Sequence, residues 1–236
     1  MPITADAMAA AAQHIARLAA SRGTSPATAS ARAHSAARHP VGLLAKPRSS
    51  ARPSAFAADE IGAAGDEEVN LKDVTRKLMD CRKRKAASNA VDLLVSLGRA
   101  GIEPDLLAST ACLGACVAAG KMDLALKVFE EVFDKRVVEP DEVVFTELIR
   151  GYLASSPPSW TRAMNTLDRM EAFDVVPGAL SYNILLAKCA DDNELERAED
   201  IVDRMAAEGV EPDRFTMEAV KKRRSIRSYA KKVLVM

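Results

Sequence analysis

The sequence predicts an all-α fold, a solenoid of about four helical hairpins followed by a half repeat. Three observations predict it. Four prolines lie 36, 37 and 35 residues apart, at Pro104, Pro140, Pro177 and Pro212. Three of them stand in the tripeptide Glu-Pro-Asp, which ends one helix and starts the next because proline cannot continue a helix and Asp caps one. An alanine precedes each proline by 14 or 15 residues, and a two-helix unit of this period is typical of solenoids.

Residues 1–58 have the composition of an organelle transit peptide. They are rich in Ala, Ser and Arg and contain one acidic residue, Asp6, against seven basic ones. The segment also lacks an apolar core long enough for a secretory signal. Acidic residues return at Asp59, so we expect a disordered transit peptide over 1–58 with cleavage between Ser50 and Asp59. The Ser, Thr and Pro content favours a chloroplast; an early Arg-bearing helix leaves the mitochondrion as the alternative.

The repeats follow a short linker, which we place at residues 59–70. Each unit is aligned on the proline and the residue after it. Units one to four are then residues 71–105, 106–141, 142–178 and 179–213, and a partial repeat with a basic tail occupies 214–236.

Each unit is predicted to contain two helices that pack against each other. The alanines at the shared position are Ala90, Ala125, Ala163 and Ala198. A large apolar residue follows each of them three or four places later, which is the period of a helix with one buried stripe. A lone hairpin cannot bury its apolar face, so the hairpins must stack. We therefore expect nine helices and no strand from Leu71 onward, with Ala125, Ala163 and Ala198 buried between the helices.

The units resemble a known family. The stretch SYNILLAKCADDNELERAEDIVDRMAAEGVEPD, residues 181–213, resembles a pentatricopeptide repeat, a helical hairpin of about 35 residues, and FTELIRGYLAS and GKMDLALKVFEEV resemble its two halves. The period and the Pro-Asp endings disfavour the rival tetratricopeptide repeat. The resemblance covers residues 71–213 and the half unit from Arg214. It implies a right-handed superhelical solenoid whose concave surface is lined by the first helix of each hairpin, and single-stranded RNA as a ligand.

The resemblance also implies which residues would contact RNA bases. In this family the fifth and last residues of a unit together select one base, and the second residues sandwich the bases. The base-reading pairs are then Thr75 with Asp105, Thr110 with Asp141, Thr146 with Gly178, and Asn183 with Asp213. The base-sandwiching residues are Lys72, Leu107, Val143 and Leu180.

By the same resemblance, Thr with Asp prefers G and Asn with Asp prefers U. Gly178 has no side chain, so we expect unit three to discriminate poorly, and we expect Glu218 in the partial repeat to read nothing. The predicted preference is 5′-G-G-N-U-3′. The alternative is that these residues are ordinary polar groups at helix starts.

No catalytic or metal site is evident, and we expect no enzyme activity, no cofactor, no metal and no small-molecule substrate. The three histidines all lie in residues 1–58, which excludes Ser-His-Asp and Cys-His arrangements further along. Cys112 and Cys116 are four apart on a predicted helix, but a zinc site would need two more ligands. No run of 18 apolar residues occurs, so we expect no membrane-spanning helix.

The charge distribution limits the affinity expected for RNA. Residues 59–213 contain 31 acidic and 18 basic residues, a balance that repels phosphate. The acidic residues concentrate in the second helices, whereas the basic runs at 82–85 and 221–224 lie at the two ends of the array. We predict a solenoid that is acidic outside and mildly basic inside.

These observations favour an organellar RNA-binding protein that acts in transcript processing, stability or translation. It would bind single-stranded RNA weakly alone and work with a protein partner. The alternative is a protein–protein adaptor or a subunit of an organellar ribosome or assembly complex.

Overall fold

A computed structural model of the protein describes residues 70–234, and over this range it is helical without a strand. The predicted transit peptide and its cleavage site lie outside the described residues. The helices are α1 (Leu71–Arg84), α2 (Ala87–Arg99), α3 (Leu106–Ala118), α4 (Met122–Phe129), α5 (Glu142–Ala154), α6 (Trp160–Glu171), α7 (Ala179–Asp192), α8 (Leu195–Ala207), α9 (Arg214–Ala219) and α10 (Arg224–Val233). The all-α solenoid is confirmed.

Three Pro-Asp steps begin helices as the sequence predicts. The Oδ1 atoms of Asp105, Asp141 and Asp213 accept hydrogen bonds from the backbone N–H three residues later, at 2.7, 3.1 and 2.9 Å. These carboxylates satisfy donors that have no partner within the helix. Each Asp therefore fixes where the first helix of the next unit begins.

The alanines of the repeat lie in the core, as predicted for units two to four. Ala90, Ala125, Ala163 and Ala198 have no exposed surface. Each belongs to the second helix of its hairpin, and the two helices of a hairpin pack directly on each other. A methyl group at this point lets the two helices approach closely without leaving a void.

The first helices of successive hairpins form a continuous row. Helices α1, α3, α5, α7 and α9, here called the inner row, pack each on the next. Among the second helices, only α8 and α10 pack on one another extensively. Within residues 70–234 the first helices are thus packed in a more continuous row than the second helices.

The chain after Asp213 forms two helices where the sequence analysis expected one, so the described residues contain ten helices and the prediction of nine was wrong. Helix α9 packs on α7 and α10 packs on α8. Buried Ile226 and Ala230 hold α10 in place, and Arg223 Nε donates to the Ala190 carbonyl at 2.8 Å. The first three residues of the basic run at 221–224 therefore lie in the turn of a short fifth hairpin, and Arg224 begins α10.

A π-helical turn accommodates the additional residue of unit two. Residues Glu130–Asp134 continue α4 as a π-helix, and Lys135 N donates to Glu130 O at 3.3 Å. A π-turn places one more residue in a helical turn than an α-turn does. Phe129 and Phe133, at the junction of α4 and the π-turn, are both buried, with ring centroids 5.4 Å apart.

Candidate nucleic-acid interface

Exposed apolar side chains recur at one position of the repeat. Leu107, Val143, Leu180 and Phe215 are 53%, 39%, 41% and 53% exposed, and they are four of the seven large hydrophobic residues exposed within residues 70–234. Each is the second residue of its inner-row helix. Single exposed hydrophobic residues are ordinary, but a set repeating every 35 to 37 residues forms a line along the inner row. We call these four residues the apolar row.

Three members of the apolar row are predicted base-sandwiching residues, and Phe215 is the one that the sequence analysis missed. The fourth predicted residue, Lys72, is exposed at the same position of α1. Phe215 carries the Arg214 guanidinium over its ring, 4.5 Å from the centroid. Counting two residues past Asp213, as in the other units, would have identified it.

The predicted base-reading residues on the inner row lie nearly buried, one turn into their helices. Thr75, Thr110 and Asn183 are 7%, 8% and 8% exposed, and Thr146 is 1% exposed. The Thr75 and Thr110 hydroxyls donate to the carbonyls four residues earlier, at 2.8 and 2.7 Å. A hydroxyl has only one hydrogen to donate, so each oxygen is left as a hydrogen-bond acceptor.

Asn183 and Asp213 form the one predicted pair that a direct hydrogen bond joins within the described residues. Asn183 Nδ2 donates to Asp213 Oδ1 at 2.9 Å. The Asn183 Oδ1 atom is buried and has no hydrogen-bond partner. Buried acceptors rarely remain unpaired, so this oxygen is available to a donor from a ligand.

The Asp213 carboxylate is held in its ionised form. Partial burial acts to raise the pKa of Asp213, but hydrogen bonds from Asn183, Thr216 and Phe215 outweigh it and lower that pKa below its ordinary value. An ionised carboxylate only accepts hydrogen bonds. The Asn183 amide must therefore present its NH2 group to Asp213 and keep its oxygen on the other side.

At unit three the structure places a carboxylate beside Gly178, from a residue that is not among the predicted base-reading residues. Glu142 Oε1 accepts hydrogen bonds from Gly178 N at 2.9 Å, from Ser181 N at 3.1 Å and from Ser181 Oγ at 2.8 Å. A Cβ atom at Gly178 would lie 2.9 Å from Glu142 Oε2. The sequence contained a signal, since among the first residues of the five units Glu142 is the only acidic one.

Two arginines share one buried carboxylate on the inner row. Arg82 Nη2 and Arg150 Nη1 each lie 2.6 Å from Glu147 Oε1, and the Glu147 side chain is 4% exposed. Arg82 reaches Glu147 by crossing α3 at Gly114, where an added Cβ would lie 3.2 Å from Arg82 Nε. The two guanidinium groups are about half-exposed, so this part of the inner row keeps a net positive charge.

Several acidic residues of the second helices link one repeat to the next. Arg169 of α6 pairs with Asp134 of the preceding unit at 2.5 Å, and Arg204 of α8 pairs with Asp168 of α6 at 2.7 Å. Ion pairs partly neutralise these acids, which lie away from the inner row. The repulsion between the protein and RNA phosphates is therefore weaker than the net charge alone would imply.

Part of the basic run at 221–224 is also engaged within the fold. Lys222 pairs with Asp191, Lys221 pairs with Glu218, and Arg223 binds the end of α7 through Ala190 O. Lys222 and Arg223 position the fifth hairpin on unit four. All three groups are engaged, so their positive charge is less available to RNA than the sequence suggested.

The cysteines have the environment of core residues. Cys112, Cys116 and Cys189 are free and buried, and Cys81 is partly buried. A hydrogen bond with Cys116 and complete burial raise the pKa of the Cys112 thiol well above its ordinary value.

Within residues 70–234, no three His, Cys, Asp or Glu side chains cluster closely enough to hold a metal ion. The helices in this range are also too short or too polar to cross a bilayer.

Comparison with known proteins gives matches over the same region. Residues 65–233 match the family described as the pentacotripeptide-repeat region of PRORP. A chloroplastic pentatricopeptide repeat-containing protein of Arabidopsis thaliana is 26% identical over 148 residues, which are 59% of this chain and 17% of that protein. The chain thus spans less than a fifth of the length of this curated relative.

Solved structures share the fold. The PPR domain of Arabidopsis thaliana protein-only RNase P 1, in complex with tRNA, has a TM-score of 0.51 at 19% identity and covers 70% of this chain and 88% of that one. The pentatricopeptide repeat protein PPR10, in complex with an 18-nt psaJ RNA element, has a TM-score of 0.57 at 18% identity and covers 70% of this chain and 26% of that one. At these identities the similarity concerns the fold.

Proposed function

This chain belongs to the pentatricopeptide repeat family, and from that premise we propose that it is an organellar RNA-binding protein acting in transcript processing, stability or translation. The single observation that carries the proposal is the apolar row on the inner row of helices. The second residues of the five units define four gaps. The first gap lies between Lys72 and Leu107, and the other three lie between successive members of the apolar row as far as Phe215. By position in the repeat, one predicted base-reading pair corresponds to each gap.

The chemistry of these gaps suits unpaired bases. A base face is apolar, and the stacking of a base on a side chain contributes roughly 1–3 kcal/mol. The base edge carries the donors and acceptors that distinguish one base from another. A solenoid with apolar side chains at the second position and polar ones a turn later can contact the face and the edge of the same base.

The fourth unit is expected to select uracil. Asp213 orients the Asn183 amide, and the unpaired Asn183 oxygen can accept a hydrogen bond from the N3–H group of uracil. Cytosine has an acceptor at N3, so it would leave that oxygen unpaired, which is unfavourable for a buried group. The geometry supports the choice of U over C at this position.

Units one and two are expected to select guanine. The Thr75 and Thr110 oxygens are acceptors because their hydrogens are engaged with the helix backbone. Guanine presents donors at N1 and N2 on its Watson–Crick edge. With unit three left open at Gly178, the proposed target is 5′-G-G-N-U-3′.

The expected affinity is modest. Four stacked bases contribute roughly 4–12 kcal/mol before the costs of ordering protein and RNA. A micromolar Kd corresponds to about −8 kcal/mol, and we expect a value of this order. We therefore propose that the protein acts with a protein partner or in a longer assembly.

We propose a chloroplast location, with the mitochondrion as the alternative. The composition of residues 1–58 and the chloroplastic relative support an organelle. Residues 1–58 fused to a fluorescent protein should enter plastids when expressed in leaf cells. Fluorescence in mitochondria would select the alternative, and cytosolic fluorescence would contradict organelle targeting.

We propose further that the chain binds RNA without cleaving it. No histidine is present in residues 59–236, and the described range lacks a cluster of metal ligands. Incubation of the full chain with labelled RNA and Mg²⁺ tests this proposal. We expect intact RNA, and products that increase with protein concentration would contradict it.

The decisive experiment measures binding of the full chain to short labelled RNAs by fluorescence anisotropy. An oligomer containing GGCU should bind more tightly than one of the same composition in scrambled order, at two salt concentrations. Equal binding to the two oligomers would favour the adaptor alternative over sequence-specific RNA binding. The adaptor would then be sought as a protein that copurifies with the chain.

A further inference from the structure

One helix start in the array is capped from a distance. In three inner-row helices an Asp at the preceding position accepts the N–H three residues later. At α7 that position is Gly178, which offers no side chain. The N–H three residues later belongs to Ser181, and it donates to Glu142 Oε1 at 3.1 Å. Glu142 therefore performs the same capping contact as the missing Asp, although it lies 36 residues before Gly178.

The Glu142 carboxylate also occupies the space of the missing side chain. A Cβ atom built on Gly178 would lie 2.9 Å from Oε2, 3.1 Å from Oε1 and 3.3 Å from Cδ of Glu142. Real Cβ atoms essentially never show a contact below 3.0 Å, so a side chain at 178 would require the Glu142 carboxylate, the end of a flexible side chain, to shift from this position. The glycine and the glutamate thus form a matched pair.

The two oxygens of this carboxylate have different environments. Oε1 accepts three hydrogen bonds, from Gly178 and Ser181. Within residues 70–234 no group donates to Oε2. Glu142 is partly exposed, so Oε2 is an acceptor with unused capacity at the place where a unit-three Asp would meet a base edge.

We propose that Glu142 is the base-selecting carboxylate of unit three and that it selects guanine. This inference rests on the proposed function. Guanine is the one RNA base with two adjacent donors, N1–H and N2–H, on its Watson–Crick edge. Adenine, cytosine and uracil each place an acceptor beside their donor, and a carboxylate only accepts. The third base of the target is then G, where the repeat alignment left it open.

The burial of Thr146 assigns the selection to Glu142 and not to the threonine. Thr146 is 1% exposed, against 7–8% for its counterparts, and its hydroxyl donates to Val143 O at 2.8 Å. Glu142 lies one turn earlier on the same helix, α5. Unit three would thus select its base with a residue at the first position.

The test uses the full chain and four oligomers that contain 5′-GGNU-3′, with N as each base in turn and identical flanks. Lithium replaces potassium in the buffer to suppress guanine quadruplexes. Anisotropy should show binding to GGGU about tenfold tighter than to the other three, by analogy with other base-edge contacts. Glu142→Gln should abolish this difference, because its NH2 group faces the guanine donors. A fifth oligomer, GGGC, reports the preference for U at the fourth base, which should survive in the variant.

A rescue variant separates base selection from helix capping. Glu142→Ala with Gly178→Asp moves the carboxylate to the usual position and should restore the preference for G. Thermal unfolding confirms that each variant is folded.

Equal binding of the native chain to all four GGNU oligomers, with the U preference intact, would overturn this inference alone. A preserved G preference in a folded Glu142→Gln variant would do the same. Absence of binding to every oligomer would overturn the proposed function as well.

Discussion

Asn183 Nδ2 lies 2.9 Å from Asp213 Oδ1, so the fifth residue of unit four is hydrogen-bonded to the last residue of the same unit, 30 residues later. The same Asp213 oxygen caps α9 through the N–H groups of Phe215 and Thr216. One carboxylate thus fixes both the start of the fifth hairpin and the orientation of the Asn183 amide. The base selection proposed for unit four and the folding of the next hairpin would then depend on the same atom.

Asn183→Thr should change the fourth base from U toward G. The amide oxygen proposed to accept from uracil N3–H is lost, and the new hydroxyl resembles those of Thr75 and Thr110. Binding to GGCU should weaken by about 1–3 kcal/mol relative to GGCG. Anisotropy with these two oligomers measures the change. An unaltered ratio would show that residue 183 does not contact the base.

Phe215→Ala should weaken RNA binding by about 1–3 kcal/mol, because one side of the fourth base loses its stacking surface. Folding should be little affected, since the ring is exposed. Val176→Ala is the matched control, because Val176 is also an exposed apolar residue but lies outside the apolar row. If both substitutions change affinity equally, the apolar row has no special role.

Ala198→Leu should destabilise the fold by about 1–3 kcal/mol through overpacking. The residue is fully buried between the helices of unit four. Ala206→Leu on the same helix is the control, because Ala206 is exposed. Urea unfolding followed by circular dichroism gives both midpoints. A midpoint for Ala198→Leu that equals that of the native chain would place Ala198 outside the core.

Arg82→Met should lower stability by about 1–2 kcal/mol, because Glu147 loses one of two charge-assisted hydrogen bonds while staying buried. Lys83→Met is the matched control, since its side chain is 79% exposed. The same urea titrations compare the two variants. Equal midpoints would show that the contact between Arg82 and Glu147 contributes little.

Only Cys81 should react with a thiol reagent in the native protein at pH 8. The thiolate is the reactive form, and burial raises the pKa of Cys189 to about 12. Cys112 and Cys116 have no exposed surface. Mass spectrometry after brief alkylation should show one modified site, and all four should react in denaturant. Rapid modification of Cys189 would indicate that unit four opens readily.

The repeat register was accessible from the sequence because it depends on local chemistry. Proline and Asp at fixed spacing define helix boundaries, and the buried alanines follow from the helix period. The same register placed Leu107, Val143 and Leu180 at equivalent positions, and the structure leaves all three exposed. Their contact with RNA stays a prediction.

The contacts between different units could not be predicted from these local patterns. Glu142 takes the place of the side chain that Gly178 lacks. These two residues are 36 apart in the sequence, and only the stacking of the units brings them into contact. The fifth hairpin was missed because the basic run at 221–224 has the composition of a tail, whereas Arg223 binds a carbonyl at the end of α7. Local patterns define the hairpins, but packing decides which distant side chains meet.

The contact of Arg82 with Glu147 joins units that are not adjacent in the stack, 65 residues apart. Repeat arrays usually fray from their ends one unit at a time, because each unit contacts only its neighbours. Here unit one cannot detach without removing a partner from a buried carboxylate in unit three. The first three hairpins should therefore exchange their amide hydrogens as one cooperative block.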